Sequence, residues 1–292
     1  MVKGWAMGAV AALLAAGPLN AQDPLAADQR DFIERFQTAT APARSSARQR
    51  AIAADVLMDE LAQRGLTGER RSYRAPNVTP LLDLVMPPFS GTNITATIPA
   101  TRAGAPVIVI GAHYDTEAGS PGADDNASGI AAMLTIAEAI AAEEYRHYAV
   151  MLAFFDQEEE GKVGSAALVR QLLNDGTDIH FMHSIDMAGW DSDNDGAIEI
   201  DAPDSWFPRY AAAASRMGIP VTRVTYDSSD HVPFRERGID AICLGEAFRA
   251  RDSSPHRHRP TDSADTLNHA YLARNTRLMQ AVLLAAVRGQ AL

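Results

Sequence analysis

The chain has 292 residues, 47% hydrophobic and 22% charged, with 37 acidic against 26 basic side chains and a formal net charge of -11. That composition excludes disordered, collagenous and coiled-coil proteins. An acidic chain without a basic stripe repels a phosphate backbone, so nucleic acid is not an expected partner. The length suits either two domains or one α/β domain of about 270 residues with a large core.

Residues 1–21 read as a secretory signal peptide. Lys3 gives a positive start, Gly4 to Leu14 is almost wholly apolar, and the small residues from Ala15 to Ala21 precede the polar pair Gln22-Asp23. The apolar run is shorter than the roughly 18 to 20 residues a membrane span needs. Cleavage and export, to the periplasm or the external medium, are therefore expected, with no membrane contact afterwards. Residues 22–45 read as an N-terminal helical arm, and Pro42 to Ser46 form a weak boundary before the main domain at 46–292. From Ala47 to Arg64 the apolar positions Ile52, Ala53, Val56, Leu57 and Leu61 recur at three and four, which predicts an amphipathic helix ended by Gly65. Leu81 to Ala100 and Val107 to Ile110 are β-rich runs broken by Pro, Gly and Asn. The role of residues 22 to 90 stays open between covering a sheet face, forming a removable pro-segment and shaping a pocket.

Beyond this point strands and helices alternate. Strands are predicted at Val107 to Ala112, Ala149 to Phe155, His180 to Ile185 and Ala241 to Leu244, and helices at Ser128 to Ala142, Ser165 to Leu173, Ser205 to Met217 and Asn268 to Val287. The alternation predicts one three-layer α/β domain, a mostly parallel mixed sheet with helices on both faces. The lone Cys243 forbids an internal disulfide and reads as a buried strand residue.

Ligands of such sheets gather at the carboxyl ends of the strands, and here those ends carry acids and histidines. The first run ends Gly111-Ala112-His113-Tyr114-Asp115-Thr116 and is followed by Pro121-Gly122-Ala123-Asp124-Asp125-Asn126-Ala127-Ser128-Gly129. The next ends Phe155-Asp156-Gln157-Glu158-Glu159-Glu160-Gly161, the third Ser184-Ile185-Asp186-Met187, and His256-Arg257-His258-Arg259-Pro260-Thr261-Asp262 follows near the C-terminus. Packing carboxylates together costs Coulomb energy that divalent cations offset. Imidazole with carboxylate suits zinc, and the cysteine count excludes a Cys-rich structural site.

In order, spacing and neighbours, residues 90 to 290 resemble the co-catalytic two-zinc aminopeptidases, the group of bacterial leucyl aminopeptidases related to glutamate carboxypeptidases and glutaminyl cyclases. The resemblance implies that His113 and Asp186 hold one Zn2+, that Glu159 and His258 hold a second, and that Asp125 bridges them across a cis Asp125-Asn126 peptide. It implies that Asp115 orients the His113 ring, that Glu158 is the general base, and that Tyr226 hydrogen-bonds the developing oxyanion. Counting back from Gly161 in the Glu-Glu-x-Gly spacing selects Glu158 and Glu159 from the acidic triplet. The four-residue step to Asp262 selects His258 over His256. His231 reads as lining the pocket or holding a loop, and His147, His180, His183 and His269 as structural or surface residues. The chemistry has independent sense: a Glu adjacent in sequence to a ligand stands beside the metal without being consumed by it, free to take a proton.

Asp191-Ser192-Asp193-Asn194-Asp195-Gly196 repeats the first half of a calcium loop, but Ala202 stands where the bidentate Glu belongs, so a Ca2+ site with Asp191, Asp193 and Asp195 and a plain acidic turn both remain open. With the leader implying export, the resemblance implies a hydrolase acting on peptides with a free N-terminus, whose α-ammonium an acidic site attracts. The alternative is a glutaminyl-peptide cyclotransferase using one zinc. Phe155 to Glu159 and Asp230-His231-Val232-Pro233-Phe234 have its flavour, whereas Asp124 to Gly129 look like the peptidase form. A non-catalytic, receptor-like member would lack several ligands, and here all five positions are filled.

Overall fold

A computed structural model describes residues 23–76 and 87–290. The leader read at residues 1–21 and the start of the β-rich run at Leu81 lie outside the described residues. Helix α1 (Pro24–Thr40) begins with Asp23 accepting the Leu25 N–H and proline at its first position. Helix α2 (Ala47–Gln63) starts at a capping box in which Ser46 and Gln49 satisfy each other's backbone donors. Then come β1 (Gly68–Ala75), β2 (Phe89–Ile98), β3 (Val107–His113), α3 (Gly129–Ala141), β4 (Ala149–Phe155), α4 (Val163–Asn174) and β5 (Ile179–Ile185). The chain continues through β6 (Ile198–Asp201), α5 (Phe207–Met217), β7 (Val221–Arg223), α6 (Val232–Arg235), β8 (Ala241–Glu246) and α7 (His269–Val287).

The strands form one sheet in the order β1-β2-β4-β3-β5-β8-β6-β7. Its centre is parallel (β4-β3-β5-β8), and β2 and β6 join it antiparallel. Each central strand sends alternate side chains to opposite faces. Val150, Leu152 and Phe154 enter the core shared with α1, α2, α3, α5 and α7, while Met151, Ala153 and Phe155 enter a smaller core under α4 and α6. The three-layer architecture expected from the alternation is what is found. Residues 24–63 complete one of the layers, since Phe32, Ile33 and Phe36 of α1 and Leu57 and Leu61 of α2 are fully buried in the larger core.

Strands β1 and β7 and the short α6 carry no periodic apolar signal, and the alternation of β6, Ile198-Glu199-Ile200-Asp201, is only four residues long, so the sequence does not predict them. Strand β1 reads Gly-Glu-Arg-Arg-Ser-Tyr-Arg-Ala, pairs among the described residues with β2 alone and is half exposed. An edge strand held by backbone pairing has little need of an apolar face. Strand β7 is three residues at the opposite edge. No helix among the described residues is long and apolar enough to cross a membrane.

The parallel centre brings the carboxyl ends of β3, β4, β5 and β8 to one edge of the sheet. His113 is the last residue of β3, Glu158 and Glu159 follow β4, and Asp186 follows β5. Asp125 arrives on the tight turn Ala123–Ser128 that leads into α3.

Candidate metal centre

Asp125 lies at the middle of the cluster, 3% exposed. Its Oδ1 is 3.1 Å from His113 Nε2, and its Oδ2 is 3.2 Å from His258 Nε2. Each oxygen of one carboxylate therefore faces a different imidazole. Asp186 Oδ1 is 3.5 Å from His113 Nε2, on the first side, and Glu159 Oε2 is 2.9 Å from His258 Nε2, on the second. All five residues picked from the sequence as ligands thus converge. Glu117, which sequence reasoning missed, brings a third donor to the second side: Glu117, Glu159 and His258 offer atoms within 4.8 Å of one another. It is an exposed acid in a Gly-rich loop, and nothing in its local pattern marks it.

The backbone around these side chains is tied down from several directions. The Asp125-Asn126 peptide is cis. Asp262 accepts the N–H groups of Asp124 and Asp125 at 2.9 and 3.2 Å, so the four-residue step from His258 has a structural purpose: it anchors the turn that presents Asp125. Asp115 has two jobs. Its main-chain oxygen lies 3.3 Å from His113 Nδ1 and its carboxylate 3.5 Å from the same nitrogen, so the ring orientation expected of the carboxylate is shared with the carbonyl. The carboxylate also accepts the N–H groups of Glu158 at 3.0 Å and Glu159 at 3.2 Å, which sets the adjacent pair of glutamates.

Arg44 is a second residue the sequence did not reveal. It is fully buried, and its guanidinium donates to the carbonyls of Tyr114 at 2.6 Å, Pro121 at 2.6 Å and Gly122 at 2.9 Å. The segment before α2 thereby clamps the two ends of the loop between His113 and Asp125. Gly122 has φ +64, and a Cβ there would lie 2.3 Å from Thr116 Cγ2 and 2.5 Å from Arg44 Nη2, so only glycine fits this clamp. Burial draws the Arg44 pKa down to about 10, opposed by the nearby carboxylates of Asp262, Asp115, Asp125 and Glu159.

The electrostatics describe a site built for cations. Burial would raise the Asp125 pKa, but the imidazoles of His113 and His258 outweigh it and hold the carboxylate well below its ordinary range. Burial and then the Asp125 charge push Glu159 up to about 8. Glu158 is pushed well above the carboxylate range, chiefly by burial and with the charges of Asp230 and Asp186 adding to it. Glu159 Oε1 and His258 Nε2 are buried without an aligned hydrogen bond among the described residues, although other donor atoms stand close to them. Converging nitrogen and oxygen atoms that do not satisfy one another fit zinc, whose ordinary ligands are imidazole and carboxylate.

A cavity of about 150 Å3 opens on the cluster, bounded by Asp125, Glu158 and Asp186 and by Met187, Tyr226 and Phe248. A larger cleft of about 580 Å3, near Arg223, Arg235 and Asp240, touches none of the clustered acids. Tyr226 is on the cavity wall, but its hydroxyl donates to Glu199 Oε2 at 2.5 Å. It is thus committed to a strand carboxylate rather than offered to a substrate oxygen. His256 is turned away from the cluster, with Nδ1 2.9 Å from Thr261 Oγ1 and its ring against Trp190.

His231 is buried with Nε2 3.2 Å from Asp201 Oδ2, the oxygen that also takes Arg235 Nη1 at 2.7 Å and the Tyr226 N–H at 2.7 Å. Burial opposes ionisation of Asp201, but these partners win and lower its pKa to about 2. Because the folded value lies below the unfolded one, the stabilisation is complete above roughly pH 4 and is lost as pH falls toward 2, an effect of about 2 kcal/mol. Urea unfolding between pH 2 and 6 should show an acid limb that is shallower by this amount in Asp201→Asn.

The acids of the suspected calcium loop do converge: Asp191, Asp193 and Asp195 offer atoms within 4.8 Å of one another. Each also accepts a backbone N–H within the loop, from Gly196, Asp195 and Ala197 respectively.

The fold and the clustered donors together define an α/β domain of the zinc-exopeptidase kind. Residues 93–283 match the model of peptidase family M28, and the chain belongs to that family. It is 30% identical over 196 residues to aminopeptidase YwaD of Bacillus subtilis, a match that takes in 62% of this chain but only 41% of that protein. Its fold is similar to that of BSAP, a zinc aminopeptidase from Bacillus subtilis, with a TM-score of 0.78 at 16% identity over 90% of this chain and 95% of the other. It is also similar to the glutaminyl cyclase of Porphyromonas gingivalis, with a TM-score of 0.72 at 19% identity over 89% and 99% of the two chains. At such identities the two likenesses are of fold.

Proposed function

We propose that this chain is a zinc-dependent aminopeptidase that hydrolyses the first peptide bond of substrates with a free N-terminus. The observation that carries the reading is the placement of Asp125, whose two oxygens each face a different imidazole. His113 and Asp186 would hold one ion and Glu159 and His258 the other, with Asp125 between them and Glu117 beside the second. Two ions so held would supply Lewis acidity for a carbonyl and would lower the pKa of water toward neutrality.

The chain's own groups do the remainder. Glu158 lines the cavity, is not drawn into the cluster as a ligand, and is fixed by the Asp115 bond to its N–H. It takes the proton of the attacking water and passes it to the departing amine. Tyr226 supports the wall through Glu199 and has no oxyanion role in this reading. Residues 46–292 form the catalytic domain, residues 22–45 complete its core and brace the metal loops through Arg44, and residues 1–21 direct export. N-terminal sequencing of the exported protein, starting near residue 22, checks the last point.

Metal analysis by mass spectrometry, combined with parallel assays on a leucyl anilide and a Gln-initial peptide, tests the proposal. Two zinc per chain with release of free amino acid is the expected result. One zinc with ring closure of the Gln peptide would instead establish the cyclotransferase that the fold also fits. Calcium read in the same analysis decides the loop: one ion per chain makes Asp191, Asp193 and Asp195 a stiffening calcium site, and none makes them an acidic turn.

A further inference from the structure

The cavity beside the clustered acids also contains a positive charge. Arg257 lines it, next in sequence to His258, with its side chain 41% exposed. Its one ionic contact is long, Nε to Asp125 Oδ2 at 3.4 Å, and among the described residues its guanidinium donates no hydrogen bond. Beyond that pair with Asp125, no loop clamp of the kind Arg44 makes is formed by this guanidinium among the described residues. The segment 248–260 is basic and exposed in a protein of strongly acidic balance: Arg251, Arg257 and Arg259 are exposed, as is Arg249, whose guanidinium donates to the Thr225 carbonyl at 2.7 Å. Its one acid, Asp252, is taken by Trp190 and Ser192. Phe248, at the start of the same segment, is a large apolar side chain left 46% exposed at the cavity.

We propose that Arg257 recognises a carboxylate of the substrate, making the chain selective for short or acidic peptides; this rests on the aminopeptidase reading above. A planar guanidinium with unused donors matches a carboxylate in a two-point contact. The cavity then offers Arg257 as a cationic contact for a substrate carboxylate, beside the clustered ligands. Arg257 lines the same small cavity as Glu158, Asp125 and Asp186, so a carboxylate bound to it lies close to the N-terminal residue of the substrate. Two sources meet that condition: the C-terminus of a dipeptide, and the side chain of an N-terminal Asp or Glu. Arg257 touches the substrate but moves no proton, so its contribution appears chiefly in KM.

The test compares neutral and charged pairs of equal shape: Leu-Gly against Leu-Gly-amide, and an aspartyl against an asparaginyl anilide. In the zinc-loaded protein the carboxylate-bearing member of one pair should have a kcat/KM about 10- to 100-fold higher, the size of one charge-assisted contact. Which pair shows the ratio identifies the source. Arg257→Gln should bring that ratio to about one, and Arg257→Lys should keep part of it, with zinc content and circular dichroism checked for each variant. A ratio of about one in both pairs, or a ratio that survives Arg257→Gln, overturns the proposal. If no compound is hydrolysed, calorimetric binding of the same pairs to zinc-loaded Glu158→Gln protein decides. Tighter binding of the charged member then upholds Arg257 while the aminopeptidase reading fails, and equal binding sinks both.

Discussion

Asp125→Asn should reduce bound zinc from about two ions per chain to one or fewer and lower kcat/KM by about four orders of magnitude. The substitution keeps the size and shape of the side chain, so the turn anchored by Asp262 is retained and the loss is one of charge and donor atoms. Asp125 approaches the two imidazoles at 3.1 and 3.2 Å through different oxygens, whereas Asp186 stands beside His113, so Asp186→Asn should cost chiefly the ion on that side. The electrostatics add a pH dependence. With Glu159 raised to about 8 in the metal-free protein, zinc must displace a proton to bind below that pH. Affinity should therefore fall as pH drops from 8 toward 6, and calorimetric titration in buffers of different ionisation enthalpy should record proton release on binding. Unchanged zinc stoichiometry in Asp125→Asn would show that the carboxylate is not shared.

Glu158→Gln should leave both zinc ions in place while kcat falls by about 10^2 to 10^4, the range expected when a general base is lost. The two glutamates are adjacent in sequence, yet their surroundings separate them. Glu159 Oε2 is 2.9 Å from His258, whereas Glu158 is half-buried on the cavity wall near the charges of Asp230, Asp186 and His113. An amide at 158 cannot take a proton, while the Asp115 bond to the backbone N–H survives the change. Substrate affinity should be nearly conserved, so the loss appears in kcat rather than KM. Loss of zinc along with the activity would make Glu158 a ligand and Glu159 the base.

Residue type and period decide what can be read without coordinates. Buried strands such as Val107 to His113 and Ala149 to Phe155 must be apolar on both faces, and such runs are visible wherever they occur. The ligands at their ends were legible for a related reason: a parallel sheet forces strand ends together, so His113, Glu159 and Asp186 had to be neighbours once the alternation was seen. Edge strands β1 and β7 left no comparable trace, because backbone pairing holds them without burying a face. His258 was separable from His256 by its step to Asp262, and the structure gives the step its meaning in the anchoring of Asp125.

The sequence by itself determined the layered α/β architecture, the family and the inventory of acids and histidines, because these depend on local composition and order. Tertiary structure alone decided which atoms meet. It placed the Asp115 carboxylate on the backbone of Glu158 and Glu159, turned the Tyr226 hydroxyl to Glu199, carried Arg44 across about seventy residues into the loop before Asp125 and set Arg257 beside the acids with one long contact to Asp125. These are contacts between segments distant along the chain, fixed by packing and by the satisfaction of buried polar groups, and no short stretch of residues encodes them.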